Sequence, residues 1–393
     1  MGVSGGSSVS GSGYSGQAAL GGFAGMFATE LQLTDSAVNS VFEYMDRTPF
    51  STFDAFIGAK SQYVFDMPKN KVDLATKYRN TTSDGLNYSL GYAWAYEKNP
   101  IIRTRWKNDS GETLTVTRTD YQDSDSNKYR RLALSDSSGN GYGGYAAWSD
   151  GNGGFRPASG SGSSVGPDTT KYATLEMKQT VERAHNLAAA FDFGIDSEAM
   201  GPVVLRGEFV YTKDAYQPVI DRGALSVGDI TNALTMRKAD KFKYVLGADM
   251  TALTDMMISA QFIQERNLDY IDNNVDYDGA SCSTVTSVNC GVYTTDYATM
   301  HLSNGFNKAE ENKEFYSLFL SKPFGASGEG RWNNILMLEE GGGRWNRFDV
   351  EYSLTNNLIG TAEYNKYWGD ANTQFGQLEA ASNVQLGLKY LFE

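Results

Sequence analysis

The chain has 393 residues, of which 13% are aromatic and 21% are charged, and its formal net charge is -13. A transmembrane helix needs about 18 or more consecutive apolar residues. No run approaches this length, so membrane-spanning helices are excluded. The acidic balance argues against nucleic acid as a partner, because phosphate backbones are bound by basic surfaces.

Residues 1–70 are predicted to form a separate N-terminal segment. Residues 1–16 are rich in Gly and Ser, a composition typical of chain without a packed core. Apolar residues recur at helical spacing within 34–47, ahead of Pro49, so a short amphipathic helix is predicted there. Two placements of this helix fit the sequence equally well: a plug inside a barrel, or a support on its rim.

Residues 71–393 are predicted to form an all-β domain, a transmembrane antiparallel β-barrel in which alternate side chains face opposite sides of the wall. About fourteen stretches alternate between large apolar and small or polar residues. They are 71–79, 86–97, 101–107, 113–121, 128–134, 171–195, 203–212, 241–252, 256–264, 314–322, 331–339, 345–354, 358–367 and 383–392. If residues 17–31 and 54–65 form two further strands, the total becomes sixteen.

The last stretch, 383–392, has the clearest alternation, and its residues divide into an apolar set and a polar set. These are Val384, Leu386, Leu388, Tyr390 and Phe392 on one face, and Asn383, Gln385, Gly387 and Lys389 on the other. An apolar strand face that ends in aromatic residues is typical of bacterial outer-membrane barrels. The sequence therefore predicts a location in the outer membrane of a Gram-negative bacterium.

Strand direction alternates in such a barrel, so the side of each connection follows from the last strand. An even strand total with both chain ends in the periplasm is what a closed single-chain barrel requires. The long connections 135–170, 213–240 and 265–313 are then extracellular. The short polar turns 252–255 and 354–357 are then periplasmic, which is the side where barrels keep tight turns.

Charged residues on the predicted polar faces are the candidate functional residues. They are Arg103, Arg105, Arg206, Glu208, Lys241, Lys243, Asp249, Arg347, Asp349 and Glu351. A charged strand residue that points into lipid costs about 2–4 kcal/mol near the midplane, so these residues are predicted to face the lumen. They either line a permeation path that selects solutes or form ion pairs that stabilise a filled barrel. About fourteen strands enclose more space than side chains fill, which favours the path.

The sequence contains no recognisable arrangement of residues for catalysis, metal binding or nucleotide binding. His185 and His301 have no marked nucleophile or carboxylate partner, so no enzyme activity and no cofactor is predicted. The stretch 123–134 begins like a calcium loop. It has Lys128 where that loop requires Gly and Leu134 where it requires Glu, so no metal site is predicted.

Cys282 and Cys290 are the only cysteines of the chain. No His, Cys or carboxylate accompanies them at zinc-binding spacing. Because a location outside the cytoplasm is oxidising, a disulfide that closes a polar loop is predicted. Two free thiols in the loop are the alternative.

Several runs in the C-terminal part of the chain carry a resemblance to a known family. They are Lys241–Met250 with Met257–Gln264, then Phe348–Leu358, and then Trp368–Asp370 and Phe375–Gln377 through Leu388–Phe392. These runs resemble a porin-like proteobacterial outer-membrane family of unknown function, often encoded beside lipid-carrier and resistance-nodulation-division exporter genes. The resemblance implies a barrel surrounded by outer-membrane lipid, with an exporter, a lipid carrier or a second copy of the chain as partner. It also implies hydrophobic or lipid-like cargo, and it transfers no catalytic residue.

The sequence as a whole predicts an outer-membrane channel or transport barrel that passes small solutes or relays hydrophobic cargo. The alternative is a structural or adhesive surface barrel with a filled lumen. That alternative would act through the long connections 135–170 and 265–313.

Overall fold

The computed structural model describes residues 59–69, 72–122, 128–142, 147–149, 155–157, 173–198, 201–226, 229–275, 290–296, 308–370 and 373–392. This part of the chain is mostly antiparallel β-structure, which confirms the all-β prediction. The predicted helix at 34–47 and the alternative strand at 17–31 lie outside the described residues. Within the described ranges, no helix is both long and apolar enough to cross a membrane.

The described residues form many strands and three short helices. In chain order the strands are β1 (Lys60–Phe65), β2 (Leu74–Thr81), β3 (Asn87–Tyr96), β4 (Ile101–Lys107), β5 (Thr115–Gln122), β6 (Lys128–Ser135), β7 (Gly141–Tyr142), β8 (Ala147–Ser149), β9 (Phe155–Pro157), β10 (Thr174–Thr180), β11 (Arg183–Ser197), β12 (Gly201–Asp221), β13 (Leu234–Ala252), β14 (Met256–Asn267), β15 (Asp272–Asn273), β16 (Val292–Thr294), β17 (Asn312–Phe324), β18 (Gly330–Glu339), β19 (Arg344–Thr355), β20 (Leu358–Trp368) and β21 (Asn383–Tyr390). The helices are α1 (Arg222–Ser226), α2 (Ile230–Ala233) and a 3-10 helix (Gly376–Ala381).

One large sheet dominates the fold. Its strands are hydrogen-bonded in the order β2-β3-β11-β12-β13-β14-β17-β18-β19-β20-β21, and β15 and β16 are added beside β12, which makes it 13-stranded. The strands of this path are antiparallel, so its first and last members, β2 and β21, run in the same direction. These two strands are not paired with each other, and the described residues form an open sheet rather than a closed barrel.

Three predicted strands, 101–107, 113–121 and 128–134, do not join the large sheet. They correspond to β4, β5 and β6. β4 pairs with β10, which pairs in parallel with β1, and β5 and β6 form another small sheet with β7. The prediction that these three strands belong to the barrel wall is therefore wrong in the described structure. Their apolar residues instead pack together, since Trp106, Leu114 and Leu134 are buried in one cluster.

The prediction of one long strand over 171–195 is also wrong. The chain breaks at 181–182 into β10 and β11, and β11 pairs directly with β3. Because β4, β5 and β6 are not part of the large sheet, the directions of β2 and β3 relative to β21 are the opposite of those predicted. The stretch 54–65 does contain a strand, β1, but that strand lies in the small sheet with β10 and β4.

The long connections all lie at one end of the large sheet, which we call the upper end. They are 97–182, 222–233, 268–311 and 369–382, with one short turn at 340–343. Among the described residues, tight turns occupy the lower end at 82–86, 253–255, 325–329 and 356–357. The three connections predicted to share one side do share the upper end, although β12 and β13 extend through most of 213–240.

The large sheet has an apolar face and a polar face, because successive side chains of a strand point to opposite sides. The register aligns Leu90, Leu187, Leu246, Leu338 and Leu386 with other residues of the apolar face. Large side chains on this face are exposed. The exposed fraction is 53% at Leu187 and 82% at Leu386.

Apolar clusters are buried at the upper end. β12 and β13 continue past a register shift between Thr212 and Ala215, and with β15, β16, α1 and α2 they form what we call the upper extension. Its core cluster consists of Ile220, Ala224, Leu225, Ala233 and Tyr293. Carboxylates cap both helices, since Asp221 accepts a hydrogen bond from the Ala224 amide at 2.9 Å and Asp229 accepts one from the Asn232 amide at 3.3 Å.

Candidate functional site

Eight of the ten charged residues predicted to line the lumen lie together on the polar face of the large sheet. They are Arg206, Glu208, Lys241, Lys243, Asp249, Arg347, Asp349 and Glu351. Arg103 and Arg105 lie apart from them on β4. There, Arg103 Nη2 is 2.5 Å from Glu182 Oε1, and Arg105 Nε is 2.7 Å from Glu176 Oε1.

A first group of charges lies near the lower end of the polar face. The guanidinium of Arg206 on β12 forms an ion pair with the Asp249 carboxylate on β13. Asp192 on β11 is opposite Arg206 in the register and accepts a hydrogen bond from Asn87 Nδ2 at 2.6 Å. These residues border a cavity of about 500 Å³, together with Met257 and others.

A second group connects three strands. Arg347 Nη2 on β19 is 2.6 Å from Glu363 Oε2 on β20, and Arg347 Nε is 3.4 Å from Asp349 Oδ1. Asn333 on β18 donates a hydrogen bond to Asp349 at 2.7 Å, and Asn365 donates one to Glu363 at 2.5 Å. Two carboxylates therefore share one guanidinium here, and the two asparagines supply further hydrogen bonds to them.

A cavity of about 630 Å³ lies on the polar face near the upper end, and we call it the upper cavity. Residues from β3, β11, β12, β13, β14 and β17 line it, together with 97–99, 294–296, 309–311 and Gln374. Because β3 and β17 are separated by four strands in the sheet, their shared contact with one cavity means that the polar face is concave here.

The upper cavity contains lysines and carboxylates in close contact. Glu265 lies between two lysines, with Oε2 at 2.7 Å from Lys243 Nζ and Oε1 at 3.9 Å from Lys241 Nζ. Lys313 Nζ is 2.7 Å from Asp296 Oδ2. The side chain of Lys241 is only 14% exposed, so its charge acts in a region from which much of the water is excluded.

A buried hydrogen-bond network fixes the wall of the upper cavity beneath the upper extension. Gln217 is 1% exposed and donates from Nε2 to the Asp269 carbonyl at 2.8 Å. Its Oε1 accepts from Asn267 Nδ2 at 2.5 Å and from Thr294 Oγ1 at 3.3 Å. A fully bonded network of this kind holds its members in one geometry.

Glu310 adds an acidic group to the same cavity from the connection ahead of β17. Burial raises the pKa of the Glu310 carboxyl above its ordinary value. Lys313 opposes this rise in the pKa, whereas Glu339, Glu340 and Asp296 add to it. Like-charged neighbours thus surround this carboxylate more than cations do.

Of the charged residues that line the upper cavity, sequence reasoning named only Lys241 and Lys243 as site residues. Glu265 and Lys313 each lie one residue beyond a predicted strand, 256–264 and 314–322. Their omission is an error of strand boundaries, and extending the alternation by one residue would have found them. Asp296 follows β16 in a connection, where no periodic pattern marks it.

The other candidate residues take structural positions or fall outside the described ranges. His185 Nδ1 is 2.8 Å from the Tyr92 hydroxyl oxygen, on the apolar face of the sheet. Among the described residues, no group of three His, Cys, Asp or Glu side chains is arranged to hold a metal ion. Cys282, His301 and 123–127 are outside those ranges, so the disulfide between Cys282 and Cys290 stays a prediction.

No known protein-family model matches the chain, and no curated protein matches it either. The resemblance to a porin-like outer-membrane family therefore remains a prediction from the sequence runs quoted above.

Proposed function

We propose that the chain is an outer-membrane channel of a Gram-negative bacterium and that its polar face lines a path for small polar solutes. The supporting observation is the inverted polarity of the large sheet. Leu187 and Leu246 on the apolar face of the inner strands β11 and β13 are 53% and 42% exposed, whereas the side chains of Lys241 and Asp249 on the polar face are 14% and 11% exposed. Water disfavours so wide an apolar surface, and a bilayer favours it.

The aromatic residues of the apolar face add support, because they fall into two zones. Nearer the upper end, the rings of Phe209, Phe242, Tyr244, Phe262 and Tyr316 form a continuous series across four strands. Nearer the lower end, Phe324 stacks on Tyr352. Aromatic girdles at two levels are typical of barrels that cross a bilayer.

The charged polar face favours polar solutes over the lipid-like cargo that the resemblance implies. Ion pairs such as Lys243 with Glu265 and Arg347 with Glu363 would be costly beside an apolar cargo. They are inexpensive beside water and hydrated solutes. A water-filled path is therefore the better match to this wall.

A function in the bilayer also requires that the edges of the large sheet be closed, since lipid cannot satisfy unpaired backbone groups. The free edges belong to β2 and β21, whose side chains are exposed along the whole length of both strands. Closure needs either a direct parallel pairing of β2 with β21 or one further strand that runs antiparallel to both.

Single-channel conductance of the refolded protein in a planar bilayer tests the proposal. Stable open steps are expected, with a reversal potential in a salt gradient that depends on the charges of the polar face. Arg206→Ala should shift this potential toward cation selectivity, because Asp249 then loses its ion-pair partner. Arg103→Ala is the matched control, since its ion pair with Glu182 lies outside the large sheet. Equal shifts for both variants would contradict the assignment of the wall.

A second candidate is a structural or adhesive surface protein, and the packed upper end favours it. The cluster of Trp106, Leu114, Leu134 and Ala173 gives the described part of the connection 97–182 a core of its own, and such a core would support a surface that a partner could bind. A properly inserted protein that shows no conductance would support this second function and rule out the channel.

A further inference from the structure

A groove with a volume of about 620 Å³ lies on the apolar face of the large sheet, across β19, β20 and β21. Gly360 and Ala362 on β20 form its floor, because their side chains are small. The flanking strands supply larger side chains as its walls, and the register aligns them with the floor. These wall residues are Val350, Tyr352, Leu386 and Leu388. We call this cavity the apolar groove.

The side chains of the same face change in character from the apolar groove toward the upper end. Just above the groove, Phe348 and Tyr364 lie opposite each other and are both exposed. Lys366 on β20, which is half-buried, and Arg344 on β19, which is exposed, lie above them. A strand rises about 3.3 Å per residue, so Lys366 lies roughly 13 Å above Ala362. Apolar, aromatic and basic side chains therefore follow one another along two neighbouring strands.

Arg344 and Lys366 have no anionic partner in the described structure. Within β19, β20 and β21 they are the only charged residues on the apolar face. Neither forms an ion pair with a described carboxylate, and this holds for Glu340 and Asp370 in the adjoining connections as well. On the polar face of the same strands, by contrast, Arg347 has two carboxylate partners. Two cations at the margin of an apolar surface are thus available to an anion from outside the chain.

We propose that this face binds an anionic lipid, with an acyl chain in the apolar groove and the phosphate of the head group at Lys366 and Arg344. The inference rests on the proposed function, which places the apolar face in a bilayer. The lipid is a bound partner of the outer wall rather than a solute of the path.

Charge and apolar contact together determine the class of lipid. Each Lys or Arg at a membrane surface strengthens the binding of anionic lipid by about fivefold. The apolar groove adds contact with hydrocarbon, which a free anion cannot use. A molecule that gains from both must carry a negative head group and a long apolar chain, because complementary surfaces select the partner.

A second copy of the chain matches this surface less well. In a two-fold symmetric dimer through this face, the same three strands of both copies would meet. The apolar face of β19, β20 and β21 carries no carboxylate, so Arg344 and Lys366 would stay without partners in both copies. An anionic lipid supplies the missing charge and fills the groove as well.

Native mass spectrometry of the full chain, released from detergent micelles at increasing ligand concentrations, tests the inference with three probes. They are phosphatidylglycerol, phosphatidylcholine with the same acyl chains, and glycerol phosphate. Phosphatidylglycerol should bind about 25-fold more tightly than phosphatidylcholine, since two cations contribute. Glycerol phosphate should not be retained, because it has no acyl chain.

Three results of this measurement would overturn the inference. Equal binding of the two lipids would show that the cations do not select the head group. Binding of glycerol phosphate as tight as that of phosphatidylglycerol would show an anion site without a chain site. A dimer that forms as the lipid is released would assign the groove to a second copy of the chain.

A charge substitution locates the head group. Lys366→Gln should weaken the binding of phosphatidylglycerol by about fivefold and leave that of phosphatidylcholine unchanged. Lys322→Gln is the matched control, because Lys322 lies on the same face but near the lower end of β17. It should leave the binding of both lipids unchanged. Equal weakening by the two variants would show that the phosphate is not held at Lys366.

A size substitution locates the acyl chain. Ala362→Leu should weaken the binding of both lipids by about tenfold, as expected when about two methylene groups of the chain lose their contacts. Ala260→Leu is the matched control, because Ala260 lies on the same face of β14, outside the apolar groove. Circular dichroism shows whether both variants keep their strands. If both weaken binding equally, or neither does, the groove does not hold the chain.

Lipid binding and conductance fail independently, so the two proposals can be told apart. A protein that selects phosphatidylglycerol in micelles but shows no conductance retains the lipid site and loses the channel function. A protein that conducts but does not distinguish the two lipids retains the channel function and loses this inference.

Discussion

The main path of the large sheet and the upper extension share strands β12 and β13 but differ in how deeply their apolar residues are buried. In the lower half of β12, Val204 and Leu205 point to opposite faces and are 36% and 37% exposed. In the upper half of the same strand, Val219 and Ile220 are both 1% exposed. The change follows the register shift between Thr212 and Ala215.

This contrast shows which surroundings each region requires. The upper extension covers its own apolar residues with α1, α2 and β16, as a protein in water must do. The large sheet leaves Leu187, Leu246 and Leu386 uncovered, so its stability depends on what lies against that face. One strand therefore passes between two environments, and the two halves should respond differently to the same substitution.

The largest expected difference is between two leucine-to-alanine substitutions. Leu225 in the upper extension is 0% exposed, so Leu225→Ala should lower the opening free energy of that region by about 2–5 kcal/mol. Leu386→Ala on the exposed apolar face should change stability in detergent by only about 0.5 kcal/mol. Hydrogen exchange with mass spectrometry measures both regions separately. Equal losses would mean that the two regions do not differ in burial.

A substitution on the last strand tests the membrane assignment of the large sheet. Leu386→Arg should lower the free energy of unfolding from phospholipid vesicles by about 2–4 kcal/mol, because the charge would face lipid. Gln385→Arg, one residue earlier on the polar face, should have little effect. Urea titration of both variants in vesicles provides the measurement. If the two substitutions cost the same, the apolar face is not in contact with lipid.

Alternation in the sequence was sufficient to predict every strand on the main path of the large sheet, although it merged β10 and β11 into one stretch, 171–195. Alternation identified 383–392 and 101–107 equally well, and both are strands. It could not assign their partners, because β4 and β10 alternate in the same way as the strands of the large sheet. Strand pairing is decided by contacts between residues that are distant in the chain, such as those of β3 with β11. A period-two pattern within one strand does not encode these contacts.

The candidate site shows the same division between what a pattern predicts and what it omits. Lys241 and Lys243 were found because they alternate with apolar neighbours on β13. Asp296 and Glu310 were not found, since they lie in connections that reach the cavity only through the tertiary fold. The set of charges that lines the cavity is therefore a property of the fold rather than of any one segment.

Gly207 in the large sheet should tolerate a larger side chain less well than Gly194 does. The Phe191 ring lies over Gly207 on the adjacent strand, and an added Cβ would be 2.2 Å from Phe191 Cε1. Gly207→Ala should therefore cost about 1–3 kcal/mol, because the ring must move. Gly194→Ala is the matched control, as nothing lies within 4 Å of its Cβ position. Urea unfolding in vesicles should separate the two variants, and equal stability would show that the Phe191 ring is not packed there.

The smallest expected effect is a change with pH in the stability of the small sheet formed by β1, β4 and β10. Glu176 is 5% exposed and accepts hydrogen bonds from Arg105 Nε at 2.7 Å and from Lys107 Nζ at 2.6 Å. These contacts hold the pKa of the Glu176 carboxyl below its ordinary value of 4.5. Its stabilising effect is therefore complete above pH 4.5 and is lost as the pH falls through the lower, folded-state pKa.

Glu176→Gln should lower the opening free energy of this small sheet by about 1 kcal/mol at neutral pH, since Arg105 is partly exposed and solvent screens the pair. The difference from the unsubstituted protein should shrink as the pH falls below 4.5. Glu182→Gln removes the carboxylate partner of Arg103. Because the side chain of Glu182 is more exposed than that of Glu176, this substitution should lower the opening free energy by less. Hydrogen exchange across this pH range measures both variants. A difference that stays constant with pH would show that the charge of Glu176 does not stabilise the sheet.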